Sequence, residues 1–242
     1  MAQAFGLGLA AAATLLVGAW LALARPWSKR AIGLVAGFGV GALISALTLD
    51  LTASAFEEAG VTVVVVGLAA GAIVYSAGNW ALQRSTASHG RKRSEGHQGD
   101  ANALGIVLGA VLDGVPESVV IGISLLQGRS EGIAFLLAVA ISNLPEALSA
   151  TTGLARAGWS PWRIYRLWLA VVVVSGVAAG IGFGAFAGAP VEATAIIEAF
   201  AAGAILTMLA DTMMPEAFED AGPAVGLATV LGYALGALLT LV

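Results

Sequence analysis

Asp113, Gly114, Val115, Pro116, Glu117 and Ser118 run consecutively through one of the most apolar stretches of the chain. Ser142, Asn143, Leu144, Pro145, Glu146 and Ala147 do the same in the next. An acid at the centre of a membrane helix costs about 2.5–3.5 kcal/mol on insertion scales. Packing alone gives no reason to keep one there, so such residues mark function. Proline carries no N–H, so Pro116 leaves the carbonyl of Leu112 without its helical donor and Pro145 does the same to Ile141, and each helix is expected to break and restart there. In hydrocarbon, freed carbonyls are tolerated beside protein, water or an ion. Asp113 and Glu117 share a helix face at i,i+4, as do Ser142 and Glu146, and Asn143 reaches Glu146 at i,i+3. Two carboxylates held that close repel in a low dielectric, and a divalent cation or a shared proton resolves the conflict. Asp113, Glu117, Ser142, Asn143 and Glu146 together make an oxygen-only ligand set, which is the chemistry of a cation site. The competing reading is a pair of kinked helices with protonated acids bonded to neighbours. Two matching motifs on consecutive apolar runs argue against it.

The composition says what must position these groups. The 242 residues are 59% hydrophobic and 11% charged, far below the roughly 25% charge of a soluble domain. A bilayer is crossed by about 20 apolar residues in helix. Eight stretches qualify, at approximately 4–24, 31–55, 61–82, 103–126, 132–155, 164–188, 193–217 and 223–242. The expected fold is an all-α membrane protein with eight transmembrane helices. The first stretch has no basic leader and is expected to be a retained span. A flexible polar loop at about 83–101 contains His89 and His97; both read as solvated, with metal delivery as the alternative. Ten of the eleven basic residues fall on one side if the spans alternate, Arg129 being the exception. That distribution places both termini outside. Trp27, Trp80, Trp159, Trp162 and Trp168 fall near the cytoplasmic ends, where an interfacial belt is expected. With no cysteine, disulfide and thiolate chemistry are excluded.

A repeat lies within the chain. Residues 37–60 align without a gap to residues 199–222 at an offset of 162, with nine identities in 24 positions. The second and seventh spans run in opposite directions, so a shared sequence implies an inverted-topology repeat. Spans 1–3 then correspond to 6–8, around a central pair, 4 and 5, whose proline-glutamate motifs are themselves alike. Convergent packing of small residues is the alternative. Gly33, Gly37 and Gly41 form a ladder expected to pack closely on another helix.

These motifs, with the span count, the position of the polar loop and the repeat, resemble the ZIP family of divalent-metal transporters over nearly the whole chain. That family carries H-N-x-P-E-G-like and H/Q-x-x-P-E/H-G-like motifs on its fourth and fifth helices. The resemblance implies a single transporter domain over 1–242, with a metal site at Asp113, Glu117, Ser142, Asn143 and Glu146. It implies an elevator-like motion of helices 1, 4, 5 and 6 against 2, 3, 7 and 8. The implied partners are the metal substrate, the bilayer and a second copy of the chain, with no nucleic acid and no permanently bound cofactor. Asp113 stands where the family commonly has histidine, Gly114 follows it, and Ser142 opens the second motif. On the sixth span Ala179 and Gly180 replace the usual Glu-Pro pair, which favours a single metal. Without imidazole or thiolate, preference moves from zinc toward manganese or iron. Asp211 and Glu216 are candidates for an exit path and Asp50 for an entrance.

Other classes fit less well. No P-loop is present, so ATP does not drive the process. Asp113 and Asp211 could form a hydrolytic aspartyl pair, but the G-x-G-D context is missing, and Ser142 has no activating His or Lys in its span. The expectation is therefore a non-enzymatic carrier of zinc, iron or manganese. A ZIP-like protein that moves another solute, or senses metal without moving it, is the alternative. The compact cysteine-free chain suits a bacterial inner membrane.

Overall fold

A computed structural model describes residues 1–90, 98–127 and 131–240, and they are helical almost throughout. Its helices are α1 (Ala2–Ala24), α2 (Lys29–Ala46), α3 (Ala53–Gly90), α4 (Gln98–Gln127), α5 (Glu131–Arg156), α6 (Pro161–Phe186), α7 (Val191–Met208), α8 (Met214–Ala221) and α9 (Ala224–Thr240). Local chemistry sets the starts. Ser28 accepts from the Ala31 N–H at 3.2 Å to open α2. Ser160 accepts from the Arg163 N–H at 3.4 Å to open α6, with Pro161 at the first helical position.

Two stretches widen to π geometry, Leu47–Thr52 between α2 and α3 and Leu209–Met213 between α7 and α8. They stand 162 residues apart, the offset of the sequence alignment. Beyond each comes a glycine with positive φ, Gly60 at 77° and Gly222 at 66°. A side chain is strained in that backbone region, and glycine lets the chain break direction there. Gly60 splits α3, so that 53–59 prolong α2 and the remainder starts afresh.

Among the described residues, six helices are long and apolar enough to cross a membrane, and Ala224–Thr240 is a shorter apolar helix. The number differs from eight for two reasons. Lys29–Ala81 counts as a single apolar stretch although Gly60 kinks it into two helical segments, and α9 has 17 residues. Of the residues expected on the cytoplasmic side, Arg91, Lys92, Arg93 and His97 lie outside the described residues, as do Arg129 and the side chain of His89.

The helices pack in two groups. α1 lies on α5 and α6, and α4 on α6; separately, α3 lies on α7, and α2 on α8 and α9. Across the divide α2 meets α5, and α4 meets α3 and α7. Close approach rests on glycine. A Cβ at Gly41 would meet the Thr229 carbonyl and the Tyr233 nitrogen, and one at Gly232 the Phe38 carbonyl. Gly33 faces Ala217 and Ala221 on α8, while Gly37 faces Val225 on α9. The glycine ladder is therefore a packing surface, as expected, but one shared between two partners. Beside it Lys29 and Asp220 approach to 3.8 Å.

Two local expectations need correction. Trp168 is no part of an interfacial belt: it is fully buried, and its indole N–H donates to Thr151 Oγ1 at 2.8 Å. An indole that leaves the surface needs an acceptor, and α5 supplies one. Trp27, Trp80 and Trp159 are each stacked under an arginine, with Arg25, Arg84 and Arg163 at 4.1, 3.6 and 3.6 Å from the ring centres. The second correction concerns the prolines. Neither Pro116 nor Pro145 breaks its helix; α4 and α5 run through both.

Candidate functional site

α4 supplies Asp113, Glu117 and Ser118, and α5 supplies Ser142, Asn143 and Glu146. Glu117, Ser118, Ser142 and Asn143 are buried, while Asp113 and Glu146 are half-buried. The carboxylate of Glu146 lies within electrostatic range of Asp113, Glu117 and Glu216, so four acids from three elements bear on one another. Like charges gathered among apolar helices repel, and the arrangement is stabilised only by a proton or a cation.

Three of the five expected ligands share one cavity. Glu117, Asn143 and Glu146 line a cavity between α1, α4, α5 and α6, joined by Ser118 from α4 and Ser175 from α6. Its volume of about 10 Å³ is room for roughly one water-sized species. Asn143 Nδ2 donates to the Ala11 carbonyl at 3.3 Å, which aims its amide oxygen elsewhere. Asp113 points out of this cavity, toward α3, where Oδ1 accepts from the Tyr75 hydroxyl at 3.0 Å. Ser142 donates to the Val139 carbonyl at 2.9 Å and, with Pro145, packs against Gly39 of α2. Among the described residues no three His, Asp or Glu side chains are drawn together closely enough to hold a metal ion.

The sixth span bears on this geometry. Ala179 is fully buried where α6 meets Gly8 of α1 and Gly122 of α4, so no larger side chain has room there. One turn earlier Ser175 brings a neutral oxygen to the cavity instead. Of the pathway candidates, Glu216 is exposed on α8 while bearing electrostatically on Asp113 and Glu146, which links the buried acids to the surface. Asp211 is exposed in the second π stretch. Asp50 is buried apart from this group, in the first π stretch, which packs on α5, α7 and α9.

Tyr75, Ser118, Ser175 and Thr212 are not among the candidate residues taken from the sequence. Ser118 had a readable signal, since it directly follows Glu117 in the motif. Its hydroxyl donates to the Gly114 carbonyl at 2.7 Å, one turn back. The other three reach the site from distant segments, and no local spacing marks them.

Comparison with known proteins completes the description of the site. The family model described as "ZIP Zinc transporter" matches residues 77–242, which contain every acid of the group around Glu146. A protein of Arabidopsis thaliana named "Putative zinc transporter" is 28% identical over 215 residues, covering 86% of this chain. The chain spans about a third of that relative's length, the match covering 34% of it.

Proposed function

Because this chain belongs to the ZIP zinc transporter family, we propose that it carries a divalent cation, of the zinc, iron or manganese class, across a membrane. The observation that carries this reading is the electrostatic group of Asp113, Glu117 and Glu146 inside a set of apolar helices, with Glu216 at its exposed edge. A buried cluster of that charge has a use for a cation and little other use. Asp113, Glu117 and Glu146 supply the charge in this proposal. Asn143, Ser142 and the carbonyls freed by Pro116 and Pro145 complete the shell once the helices close on the ion. Glu216 and Asp211 lead to one face, and Asp50 serves the opposite path.

The proposed architecture has eight spans with both termini outside, spans 1–3 and 6–8 forming inverted repeats around 4 and 5. The recurrence of a π stretch and a positive-φ glycine at the same offset of 162 supports it. So do the pairings: α2 on α9 answers α7 on α3, and α1 on α5 answers α6 on α4. Under the proposed motion α1, α4, α5 and α6 move together against the rest. The crossing of Gly39 against Ser142 and Pro145, where no long side chain interlocks, favours sliding there. A homodimer in a bacterial inner membrane is part of the same proposal.

The test is flux of zinc, iron and manganese into proteoliposomes holding the purified chain. Uptake of at least one, saturating with concentration, is the expected result; none for any of the three refutes the proposal. A metal sensor or a carrier of another solute is separated from it in the same material. A bound cation at 100 times its dissociation constant stabilises the fold by about 2.7 kcal/mol. A metal-dependent rise in melting temperature without flux therefore indicates sensing.

Selectivity gives a sharper expectation. Asp113→His places imidazole, a softer ligand than carboxylate, at the position where the family commonly has histidine. Competition uptake should then shift toward zinc over manganese by about tenfold, the equivalent of ~1.4 kcal/mol. An unchanged competition profile would remove Asp113 from the coordination shell.

A further inference from the structure

We propose that Tyr75 is a positioning residue for transport, holding Asp113 against the opposite helix group and so setting how tightly the cation binds. This rests on the carrier reading above. Tyr75 is on α3 and Asp113 on α4, two helices that belong to different packing groups. Tyr75 is buried as a residue, and its hydroxyl donates to Asp113 Oδ1 at 3.0 Å. Thr212, in the π stretch that follows α7, stands close enough to the same oxygen for a polar interaction, and the charge of Asp211 reaches it as well.

A phenol has one proton to give. With that proton committed to Asp113, Thr212 can only act as the donor to Tyr75, so the polarity of the chain is fixed from the second π stretch through α3 to α4. The consequence falls on Asp113. One of its oxygens is occupied by a donor on the far group of helices, and its carboxylate points away from the cavity that Glu117 and Glu146 line. For Asp113 to turn into the cavity between α4 and α5 and bind a cation there, its carboxylate must swing away from Tyr75 and the bond to it must break. The same bond must break when the two helix groups slide. Tyr75 thus competes with the cation for Asp113 and also ties the moving group to the stationary one. A π widening beside such a contact is the local irregularity that often accompanies functional sites.

Tyr75→Phe keeps the ring and its packing and removes only the hydroxyl, so folding is preserved. Hydrogen bonds to charged groups are worth more than neutral ones. Freed of that competition, the variant should half-saturate at about one-tenth of the wild-type metal concentration. Uptake is measured as KM and maximal rate for wild type, Tyr75→Phe, Asp113→Ala and the double variant. Metal-dependent melting of each purified protein gives affinity without reference to turnover. The expected result is a lower KM and a larger metal-induced melting shift in Tyr75→Phe, with both differences abolished when Asp113 is already alanine. A KM that is unchanged or raised, or an effect that persists in the Asp113→Ala background, overturns the proposal. Absence of both flux and metal-induced stabilisation in the wild type would instead count against the carrier reading itself.

Discussion

Metal uptake is expected to vanish when Glu117 and Glu146 are both replaced by glutamine, while the protein accumulates in the membrane at the wild-type level. Glutamine keeps the size and one oxygen of each side chain and removes two negative charges from the buried group. Removing one partner of a buried charge pair costs roughly 3–5 kcal/mol, or about a hundred- to several-thousandfold in affinity. Two such losses leave no measurable occupancy at micromolar metal. Stability should move the other way. Glu146 bears on Asp113, Glu117 and Glu216, and neutralising it and Glu117 removes like-charge repulsion from the interior. The melting temperature of the double variant, measured without added metal, is therefore expected to equal or exceed that of the wild type. Full uptake by this variant would place the site elsewhere, whereas a lower melting temperature would mean that the acids support the fold.

Gly41→Leu is expected to disrupt the α2–α9 contact and lower the melting temperature strongly, or to prevent accumulation of folded protein. Even the first carbon of a side chain at position 41 would fall on the Thr229 carbonyl and the Tyr233 nitrogen. Both are backbone, so no rotamer change relieves the overlap and the helices must separate. Overpacking costs about 1–3 kcal/mol where side chains can adjust, and the rigid contact here puts the expected cost at or above the upper figure. Gly226→Leu is the control on α9, because a Cβ there meets nothing within 4 Å. Unfolding in detergent, followed by tryptophan fluorescence, should separate the two variants clearly. Equal melting temperatures would mean that α2 and α9 do not pack this closely in the membrane.

The acids were legible in the sequence because charge inside an apolar run is expensive, and Asp113, Glu117 and Glu146 each carry that signal alone. Tyr75 carries none. A tyrosine in a membrane helix is ordinary, and its acceptor lies 38 residues away on another helix. Ser175 is equally silent, one small residue among many on α6. The prolines misled for a related reason. The cost of an absent N–H is a local quantity, but whether the helix breaks depends on what surrounds the freed carbonyl, and here α4 and α5 stay continuous. The alignment at an offset of 162 located the features that recur in the two halves, yet it gave no hint that each contains a π stretch. One additional residue in one turn leaves hydropathy unchanged, and small residues such as Ala46, Ala53, Ala55 and Ala59 suit either face of a helix.

Those widened turns have a mechanical consequence. One extra residue advances the phase of a helix by roughly 100° while its axis continues. Before the first π stretch the rod that begins with α2 presents Gly37 and Gly41 to α9; after it, Ala55 joins Ala195 and Ala199 in a cluster on the α7 side. Before the second, α7 presents Gly203 to Leu68 of α3; after it, Ala217 of α8 lies under Gly33 of α2. Each rod therefore exchanges neighbours halfway along, and the two are laced into each other like crossed fingers. Slippage of either along its own axis would have to break two contacts set at different angles. A frame laced in this way resists internal shear, and the compliance of the molecule is left to the seam where Gly39 faces Ser142 and Pro145.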